Sequence, residues 1–488
     1  MLLRNSFLAF FAVFTVACGD APIPPEQQYV DDVAAALGGR TAIASVDTFA
    51  MEAEGRMLNV GQDMTPESAT MEFDISDYRM TADLVAGASR TALTRTPLFD
   101  YFRGRDPMQM VSGFDGSVAW DLGPDGSARR AHDDVAADRR SNYYHHPLPL
   151  VRAMVVESAR VSNVRNEGDL TLATISTEDG EELTLAVNSG NSLPAYIRST
   201  DFHSYLRDIV RTTDFSDYSQ SGELTLPSTI SQSLDEFNLL TINVTAQSAN
   251  TDVGDISAPT EAVASAPISG TPPATVTAEQ VADGVWHLTG QSHHSVLIEF
   301  SDHLVVFEVP NETRTLAVLA KAAELVPDKP VTRVINSHHH FDHSGGVRTA
   351  IANGLTVVTQ AANEAFYRRM AVQPSTIVPD ALANSPQAIS IETVADERTY
   401  QDESMTLELY HVAGNPHSAS ILMGYLPAQR MLIQVDLFTT GRTTPQLFAP
   451  NLLENIERHG LEVDRVLALH GDAFDLEVLQ SAVQDLRN

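Results

Sequence analysis

The sequence predicts a chain in two parts, a mostly antiparallel β domain followed by an α/β domain of the αβ/βα sandwich type. From Ser45 to about Ala246, short runs of alternating polar and apolar residues are separated by turn sequences such as Gly123-Pro124-Asp125-Gly126, a pattern typical of antiparallel strands. From residue 278 onward, strand and helix patterns alternate without a long gap, as an αβ/βα sandwich requires.

The predicted domain boundaries follow from shifts in composition. Residues 248–277 are rich in Pro, Ala, Ser and Thr and have no apolar period, which predicts an interdomain linker. We therefore predict a β-rich domain over residues 29–247 and the α/β domain over residues 278–488. Residues 19–28, which contain prolines, are predicted to be a tether.

The first 18 residues have the pattern of a secretory signal. Arg4 provides a positive start, and Phe7 to Val16 is an apolar core that is too short for a permanent transmembrane helix. Cys18 is the only cysteine, and it stands where bacterial lipoproteins are cleaved and acylated. A chain with no other thiol also suits an oxidising compartment. We predict a lipoprotein signal peptide over residues 1–18 and a membrane anchor through a lipid on Cys18.

Three residues near this cysteine decide the predicted destination. Gly19 rather than Asp follows Cys18, which in a Gram-negative cell favours the outer membrane, with the protein on its periplasmic face. Thr15 departs from the aliphatic residue that lipoprotein signals usually have at that place. Plain cleavage near Ala17, giving a soluble periplasmic protein, is therefore the alternative.

The bulk composition indicates a globular protein and argues against a nucleic-acid partner. The chain has 488 residues, of which 43% are hydrophobic and 19% charged, so it is globular and too long for one ordinary core. The formal net charge of −33 at pH 7, without any Lys/Arg run, would repel a phosphate backbone. We predict no nucleic-acid partner, and the sequence makes no prediction of the oligomeric state.

The segment His338-x-His340-x-Asp342-His343 concentrates metal-capable side chains. It follows the β-branched run Val331 to Ile335 and precedes a helical pattern, so it lies on a strand-to-helix turn. Such a turn directs neighbouring side chains differently, so that His338 and His340 can face one metal while Asp342 and His343 face a second. A surface histidine tract is the alternative, but such tracts rarely place a carboxylate among the imidazoles.

This segment resembles the hallmark of the metallo-β-lactamase-fold hydrolases, H-x-H-x-D-H at the end of a strand. The resemblance covers residues 278–488 and implies further ligands at later strand ends, where His417, Asp436 and His470 stand. It implies one metal held by three imidazoles, a second held by Asp342 and two imidazoles, and Asp436 bridging both. The three imidazoles that would hold the first metal belong to His338, His340 and His417. The two imidazoles that would hold the second metal belong to His343 and His470.

The ligand set implies a binuclear metallohydrolase. In such a site two metals about 3.5–4 Å apart share a water and lower its pKa toward neutrality. The resemblance therefore implies that a metal-bridging hydroxide would attack an ester-like carbonyl of a small-molecule substrate, which is a lactone, ester or thioester. Asp342 is the candidate catalytic residue, because it would orient that hydroxide. Imidazole and carboxylate ligands favour two Zn²⁺, with iron or manganese as alternatives.

Other activities remain as alternatives. The all-His/Asp set is similar to that of glyoxalase II-like thioesterases and lactonases, but also to that of persulfide dioxygenases that hold a single iron. True class B β-lactamases have Cys at the place of Asp436, so β-lactam hydrolysis is disfavoured as the main activity. From another class, the protein could be a periplasmic lipid- or ligand-binding lipoprotein with a vestigial metal domain.

Several residues near the ligands have two interpretations. His293 and His294 follow a strand, either as substrate contacts or as ordinary turn histidines. Tyr410 and His411, beside the strand before His417, are candidates to donate to the substrate or to support a ligand. In the β-rich domain, the cluster Tyr143-Tyr144-His145-His146 is predicted to be packing or surface rather than a site.

The chain departs from the family pattern at three places, one of which is His294-Ser295, where many members have Asn-Ser. Glu308-Val309-Pro310 stands where many members have Asp, a small residue and Gly. This change predicts an altered hydrogen bond behind the ligands and leaves every ligand in place. Pro416 directly precedes His417, which predicts a different conformation of that loop. The irregular segment Val372 to Ser390 is predicted to be a loop over the site.

Overall fold

The computed structural model describes residues 22–487, except residues 102–103, 271–272 and 443–445. The predicted signal peptide, including Cys18, lies outside the described residues. Within the described part of the chain, no helix combines the length and apolar character needed to cross a membrane.

The N-terminal part forms a large antiparallel sheet, as the sequence predicts. Its strands and a small separate hairpin are β1 (Thr48–Leu58), β2 (Glu72–Asp83), β3 (Ala88–Pro97), β4 (Met108–Phe114), β5 (Ala119–Leu122), β6 (Ala128–Arg130), β7 (Ala159–Glu167), β8 (Leu170–Thr177), β9 (Glu182–Asn188), β10 (Pro194–His203), β11 (Arg207–Ser216), β12 (Ser219–Ser221), β13 (Leu224–Leu226), β14 (Thr229–Leu234) and β15 (Phe237–Ala249). The described residues form a 13-stranded sheet in the order β6-β5-β4-β3-β2-β1-β15-β14-β11-β10-β9-β8-β7, and β12 pairs with β13.

Helices cover the apolar face of this sheet. They are α1 (Pro25–Ala36), α2 (Arg40–Ala44), α3 (Asp133–Tyr143) and α4 (Pro147–Val155). Inward side chains of the strands, such as Phe49 and Ile175, share one core with Leu148 and Leu150 of α4. Each such aliphatic or aromatic side chain contributes about 1.5–3 kcal/mol when it is fully buried. The period-two pattern is therefore explained by this one-sided core. Helix α1 begins inside the segment predicted to be a tether.

The histidines of the Tyr143–His146 cluster are packing residues, as predicted. His145 hydrogen-bonds Thr213 Oγ1 at 2.8 Å and Ser199 Oγ at 2.9 Å through its two ring nitrogens. His146 Nδ1 accepts from the Leu148 N–H at 3.2 Å at the start of α4. Burial lowers the pKa of each imidazole to about 3, so both are neutral structural groups at pH 7.

The segment predicted to be the interdomain linker contains one short helix, α5 (Thr260–Ala264). The segment lies against β6, which α5 contacts, and against the start of α3. There the Asp133 N–H donates to the Ile268 carbonyl at 2.8 Å, and His132 Nε2 lies 2.9 Å from the Gly270 carbonyl oxygen. The chain then enters the C-terminal part through a new strand at Thr277. In the described residues this stretch is attached to the first sheet rather than freely extended.

The C-terminal part is built from two mixed sheets. Its strands are β16 (Thr277–Ala282), β17 (Val285–Thr289), β18 (Ser295–Glu299), β19 (Leu304–Phe307), β20 (Val331–Ile335), β21 (Thr356–Gln360), β22 (Ile391–Val394), β23 (Glu397–Gln401), β24 (Thr406–His411), β25 (Leu422–Leu426), β26 (Met431–Gln434), β27 (Arg465–Ala468) and β28 (Phe474–Asp475). Strands β16 to β22 form a 7-stranded sheet and β23 to β28 a 6-stranded sheet, each in sequence order.

Helices cover the outer faces of these two sheets. They are α6 (Glu312–Leu325), α7 (Phe341–Ser344), α8 (Val347–Ala352), a 3-10 helix (Ala361–Asn363), α9 (Glu364–Val372), α10 (Ala381–Asn384), α11 (Ala449–Arg458) and α12 (Leu476–Arg487). Phe307 and Ile335 of one sheet share a core with Leu409 and Ile433 of the other. This order of layers is the αβ/βα sandwich that the strand and helix alternation predicts.

The N-terminal sheet docks on the C-terminal part through buried charges. Arg207 of β11 lies 3.3 Å from Asp380 Oδ2, and both side chains are almost completely buried. The neighbouring Asp208 carboxylate accepts from the N–H and hydroxyl of Thr376 at 2.7 and 2.6 Å. Removing one partner of such a buried pair costs about 3–5 kcal/mol, because it leaves an uncompensated charge. These contacts therefore tie residues 372–390 to the N-terminal sheet.

Candidate metal centre

The side chains predicted to be metal ligands all meet at one edge of the C-terminal sandwich. Each group of them comes directly after a strand. His338 and His340 follow β20, and Asp342 and His343 lie on the short helix α7 that comes next. His417 follows β24, Asp436 follows β26 and His470 follows β27. Because the strands end at the same edge, residues that are distant in the sequence converge there.

One group combines His338, His340, His417 and Asp436. One ligand atom from each lies within 4.8 Å of those from the others. Asp436 Oδ2 is 3.0 Å from His417 Nε2 and 3.5 Å from His338 Nε2. The His338 and His340 side chains are completely buried. The arrangement is three imidazoles facing one carboxylate oxygen, a donor set typical of zinc.

The second group combines His293, Asp342, His343 and His470, again with ligand atoms within 4.8 Å of one another. Asp436 reaches this group as well. Its Oδ2 is 2.9 Å from His343 Nε2, and its Oδ1 is 3.0 Å from His470 Nε2. Asp436 therefore contacts imidazoles of both groups, in the position that the sequence gives to a bridging carboxylate.

The chemistry of these side chains fits a metal. Among the described residues, the buried atoms His338 Nε2 and His340 Nδ1 have no hydrogen-bond partner, which is rare for buried polar atoms. The other ring nitrogen of each imidazole has one: His338 Nδ1 lies 2.9 Å from Ser337 Oγ, and His340 Nε2 lies 2.9 Å from the Asp63 carbonyl oxygen. Metal-ligating histidines have this division, one nitrogen for the metal and one for a supporting partner.

The electrostatics of the centre separate neutral from charged groups. Burial and the neighbouring imidazoles hold the pKa of His338 and His340 well below the usual value, so these rings are neutral, as metal ligands must be. Burial alone would raise the pKa of Asp436, but His343 and His470 outweigh it and hold that pKa well below its usual range. Burial alone would lower the pKa of His343, but Asp436 and Asp342 raise it well above the usual value. A proton on His343 thus compensates the negative charge of Asp436 and Asp342, which a bound metal cation would otherwise compensate.

Two site residues occupy the left-handed backbone region that side chains disfavour. Glu308 has φ 79° and Asp436 has φ 60°, and a residue held in this region costs on the order of 1–3 kcal/mol. The Asp436 turn is fixed by the buried Gln434 side chain. Its Oε1 accepts from the Leu437 N–H at 3.2 Å, and its Nε2 donates to the Phe438 carbonyl at 2.7 Å. Such strain typically persists where the surrounding structure enforces a functional geometry.

Glu308 supports the second group from behind. Its side chain is completely buried, and its Oε2 lies 3.4 Å from His343 Nδ1. The Asn336 amide donates to Oε1 at 2.8 Å and the Ser337 hydroxyl donates to Oε2 at 2.5 Å. The departure from the family pattern at this position therefore still leaves a carboxylate behind the ligands. In the sequence, this role is indicated by an acidic residue directly after the apolar strand β19.

His417 is positioned by an asparagine pair despite the proline before it. Its N–H donates to Asn415 Oδ1 at 2.8 Å, and the Asn415 amide donates to Asn451 Oδ1 at 2.8 Å. Asn451 in turn donates to the Ala413 carbonyl at 3.0 Å. A side-chain amide can replace backbone turn bonds in this way, which explains how the loop tolerates Pro416, a residue without an N–H.

His293 and His294, each of which had two interpretations, have different roles in the structure. His293 belongs to the second group, because its Nε2 is 3.3 Å from Asp342 Oδ2 and its ring centroid is 4.1 Å from that of His470. The sequence analysis considered it as a substrate contact or a turn histidine, and not as a member of a ligand group. His294 is buried, and its N–H donates to the Leu469 carbonyl at 2.8 Å. His294 is therefore a structural residue beside the site.

The side chains of Tyr410 and His411 bond to groups other than the predicted metal-ligand atoms. The Tyr410 hydroxyl donates to Glu408 Oε2 at 2.8 Å, and its ring packs 4.4 Å from that of His459. His411 Nε2 lies 2.8 Å from the Ala419 carbonyl oxygen. Only His411 thus supports the loop that carries His417.

The loop that reaches the ligands comes from the N-terminal sheet, between β1 and β2. Gln62 Nε2 donates to Asp342 Oδ1 at 2.6 Å, and the Asp63 carbonyl meets His340. The segment predicted to cover the site, residues 372–390, instead has its hydrogen bonds to Asp208 and Arg348. The contact of the β1–β2 loop with the ligands was not predicted, because the docking of the two parts has no local signal in the sequence.

The C-terminal part is an αβ/βα sandwich that carries two facing His/Asp groups with the donors to hold metal ions. Residues 288–445 match the family profile described as Metallo-beta-lactamase superfamily. The match contains all the predicted ligands except His470. A superfamily domain of this kind supports a metal-dependent hydrolase in general.

Several solved structures are similar to this chain. A metallo-beta-lactamase from Pontibacter korlensis is 19% identical, with 44% of this chain and 100% of that chain covered and a TM-score of 0.35. One from Hirschia baltica is 16% identical, with 44% and 97% covered and a TM-score of 0.34. The FIM-1 metallo-beta-lactamase from Pseudomonas aeruginosa, in a mono-zinc form, is 17% identical, with 44% and 96% covered and a TM-score of 0.33.

Proposed function

We propose that the protein is a binuclear metallohydrolase that cleaves an ester-like carbonyl bond in a small lactone, ester or thioester. The observation that carries this proposal is the placement of Asp436. Its carboxylate lies 3.0 Å from His417 in one group and 2.9 Å from His343 in the other. A carboxylate shared in this way suits a pair of metals, as many hydrolytic enzymes use.

The proposed ligands divide as the sequence predicts. One ion would be held by His338, His340 and His417, and the other by Asp342, His343 and His470, with Asp436 between them. His293 is a further candidate ligand of the second ion. Two zinc ions there would polarise the carbonyl and lower the pKa of a bound water toward about 7. Iron or manganese is the alternative for the same donors.

Asp342 is the candidate catalytic residue. Its carboxylate is 40% exposed, more than that of Asp436 at 14%, so water and substrate can reach it. Burial would raise its pKa, but His343 and His293 outweigh burial and hold the pKa well below the usual range. Asp342 therefore stays ionised and accepts hydrogen bonds. This favours a role in orienting the nucleophilic water over a role as general acid.

The ligand types favour the substrate class. An Asp at position 436, where true class B β-lactamases have Cys, argues against β-lactams as the main substrates. The all-His/Asp set is similar to that of glyoxalase II-like thioesterases and lactonases. Both act on activated carbonyls whose leaving group departs as a thiolate or an alkoxide, which a second cation would stabilise.

Hydrolysis of a small substrate panel tests this proposal. The mature chain is loaded with zinc and assayed on a lactone, an aryl ester, a thioester and a β-lactam, with oxygen uptake on a persulfide measured in parallel. We expect turnover of at least one of the first three that exceeds β-lactam turnover and is lost on chelation. Oxygen uptake by a preparation holding one iron, without hydrolysis, would identify a persulfide dioxygenase instead. An intact set of ligands with no turnover of any kind would favour a ligand-binding lipoprotein.

We further propose that the protein is exported and anchored by a lipid on Cys18 at the periplasmic face of the outer membrane. The motif around Cys18 and the absence of another cysteine in the sequence support this placement. Cys18→Ser is expected to move the protein from the membrane fraction to the soluble periplasmic fraction, because the acylated thiol is lost. Fractionation with labelled palmitate checks this. Unchanged membrane retention in the variant would contradict the anchor, and a soluble wild-type protein would support plain signal cleavage.

A further inference from the structure

We infer that the loop between β1 and β2, residues 59–71 of the N-terminal sheet, is part of the metal centre, with Gln62 and Asp63 as positioning residues. This inference rests on the proposed binuclear site and deepens it. It gives the N-terminal sheet a chemical role, because the loop would set the geometry of one ligand in each group.

Asp63 supports the first group through its backbone. The carbonyl oxygen of Asp63 lies 2.9 Å from His340 Nε2. A neutral imidazole has one N–H, so a proton on Nε2 that donates to this carbonyl leaves the lone pair on Nδ1. His340 Nδ1 is the buried atom without a hydrogen-bond partner in the described structure. The loop therefore selects the tautomer that presents Nδ1 to a cation.

Gln62 supports the second group through its side chain. Its Nε2 donates to Asp342 Oδ1 at 2.6 Å. The other oxygen of Asp342, Oδ2, lies 3.3 Å from His293 Nε2 and 3.8 Å from His343 Nε2. The amide thus occupies one carboxylate oxygen and directs the other toward the imidazoles of its group.

The loop is internally braced to hold these positions. The buried Asp63 carboxylate accepts from the backbone N–H groups of Met64 at 2.7 Å, and of Thr70 and Met71 at 3.0 Å. The Ser68 hydroxyl also donates to it. A carboxylate with this many donors ties the two ends of the loop together. Hydrogen bonds within the loop therefore help to hold the carbonyl of Asp63 in place.

The loop also contacts the ligand-bearing segments directly. The Phe341 N–H donates to the Gly61 carbonyl at 3.0 Å, and the Ala419 N–H donates to the Met64 carbonyl at 2.9 Å. Phe341 stands between the ligands His340 and Asp342. Gly61 has φ +76°, and a Cβ on it would lie 2.2 Å from the Phe341 ring. Only glycine fits this close approach, so the loop is shaped to lie on the central motif.

Gln62→Met tests the inference, because methionine keeps the length of the side chain and removes the donor. Stepwise zinc affinity of the mature chain is measured by chelator competition. We expect one zinc, that of the second group, to bind about 10–100-fold less tightly, as when a supporting partner of a ligand is lost, and the other zinc to be little changed. Gln220→Met is the matched control, since Gln220 is exposed and bonds Thr225 in the β12–β13 hairpin.

A second variant tests the backbone contact. Gly61→Ala should displace the loop from Phe341 and weaken both zinc sites, while circular dichroism confirms that the chain is folded.

Unchanged zinc affinity in Gln62→Met, or an equal loss in the control, would overturn the inference. A wild-type chain that binds two zincs but hydrolyses none of the substrates would refute the proposed substrate class alone, because the zinc readout still decides the role of the loop. A wild-type chain that binds no metal would overturn both proposals.

Discussion

Replacing Asp436 with alanine is expected to remove one of two bound zincs and to lower kcat/KM by more than about 100-fold. Loss of a partner behind a ligand typically costs 10–100-fold in metal affinity or activity, and a carboxylate that contacts both groups should cost more. Asp436 approaches His343 and His417 at 2.9 and 3.0 Å and His470 at 3.0 Å. Metal analysis and steady-state kinetics on the best substrate of the panel measure both effects.

The control for this variant is Asp464→Ala. Asp464 is a carboxylate of the same region, but it is 66% exposed and pairs with Arg430 at the surface. Surface pairs of this kind contribute about 0–1 kcal/mol, so metal content and turnover should stay at the wild-type level. Full turnover in Asp436→Ala would contradict the two-metal proposal, whereas equal losses in both variants would indicate a general effect on folding.

Replacing Glu308 with alanine is expected to destabilise the protein by about 2–4 kcal/mol and to weaken zinc binding by about 10–100-fold. The side chain is completely buried and accepts from Asn336 and Ser337. Alanine would leave those buried donors without this acceptor and create a cavity. It would also remove the carboxylate that faces His343 Nδ1 at 3.4 Å.

Urea unfolding and chelator competition measure the two effects of this change separately. Glu299→Ala is the matched control, because Glu299 lies on the neighbouring strand β18 and pairs with Lys329 at 2.7 Å in a half-exposed position. We expect it to change the free energy of unfolding by less than about 1 kcal/mol. Wild-type zinc affinity in Glu308→Ala would show that this carboxylate does not support His343.

The central motif could be predicted from the sequence because its information is local. Residue types and spacing place His338 to His343 on a strand-to-helix turn, and His417, Asp436 and His470 each follow a strand that the apolar runs predict. The alternating runs likewise predict an antiparallel N-terminal domain. Strand order has no such local signal: besides the consecutive strand β2, β1 pairs with β15, which lies at the far end of the N-terminal part.

The residues that sequence reasoning missed are those that depend on how the two parts dock. Gln62 and Asp342 are separated by 280 positions and Asp63 and His340 by 277, so no periodic pattern connects them. The docking itself depends on buried partners such as Arg207 and Asp380. The sequence predicts that His293 lies near the site, because it follows a strand. Its place in the second group is evident only from its position beside His470 in the structure.

Anomalous diffraction at the zinc absorption edge, from crystals of the mature protein grown with zinc, tests the central claim most directly. The account predicts two peaks. One should lie among His338, His340 and His417, the other among Asp342, His343 and His470, with the Asp436 carboxylate between them. A single peak, or two peaks of which neither contacts Asp436, would contradict a binuclear centre.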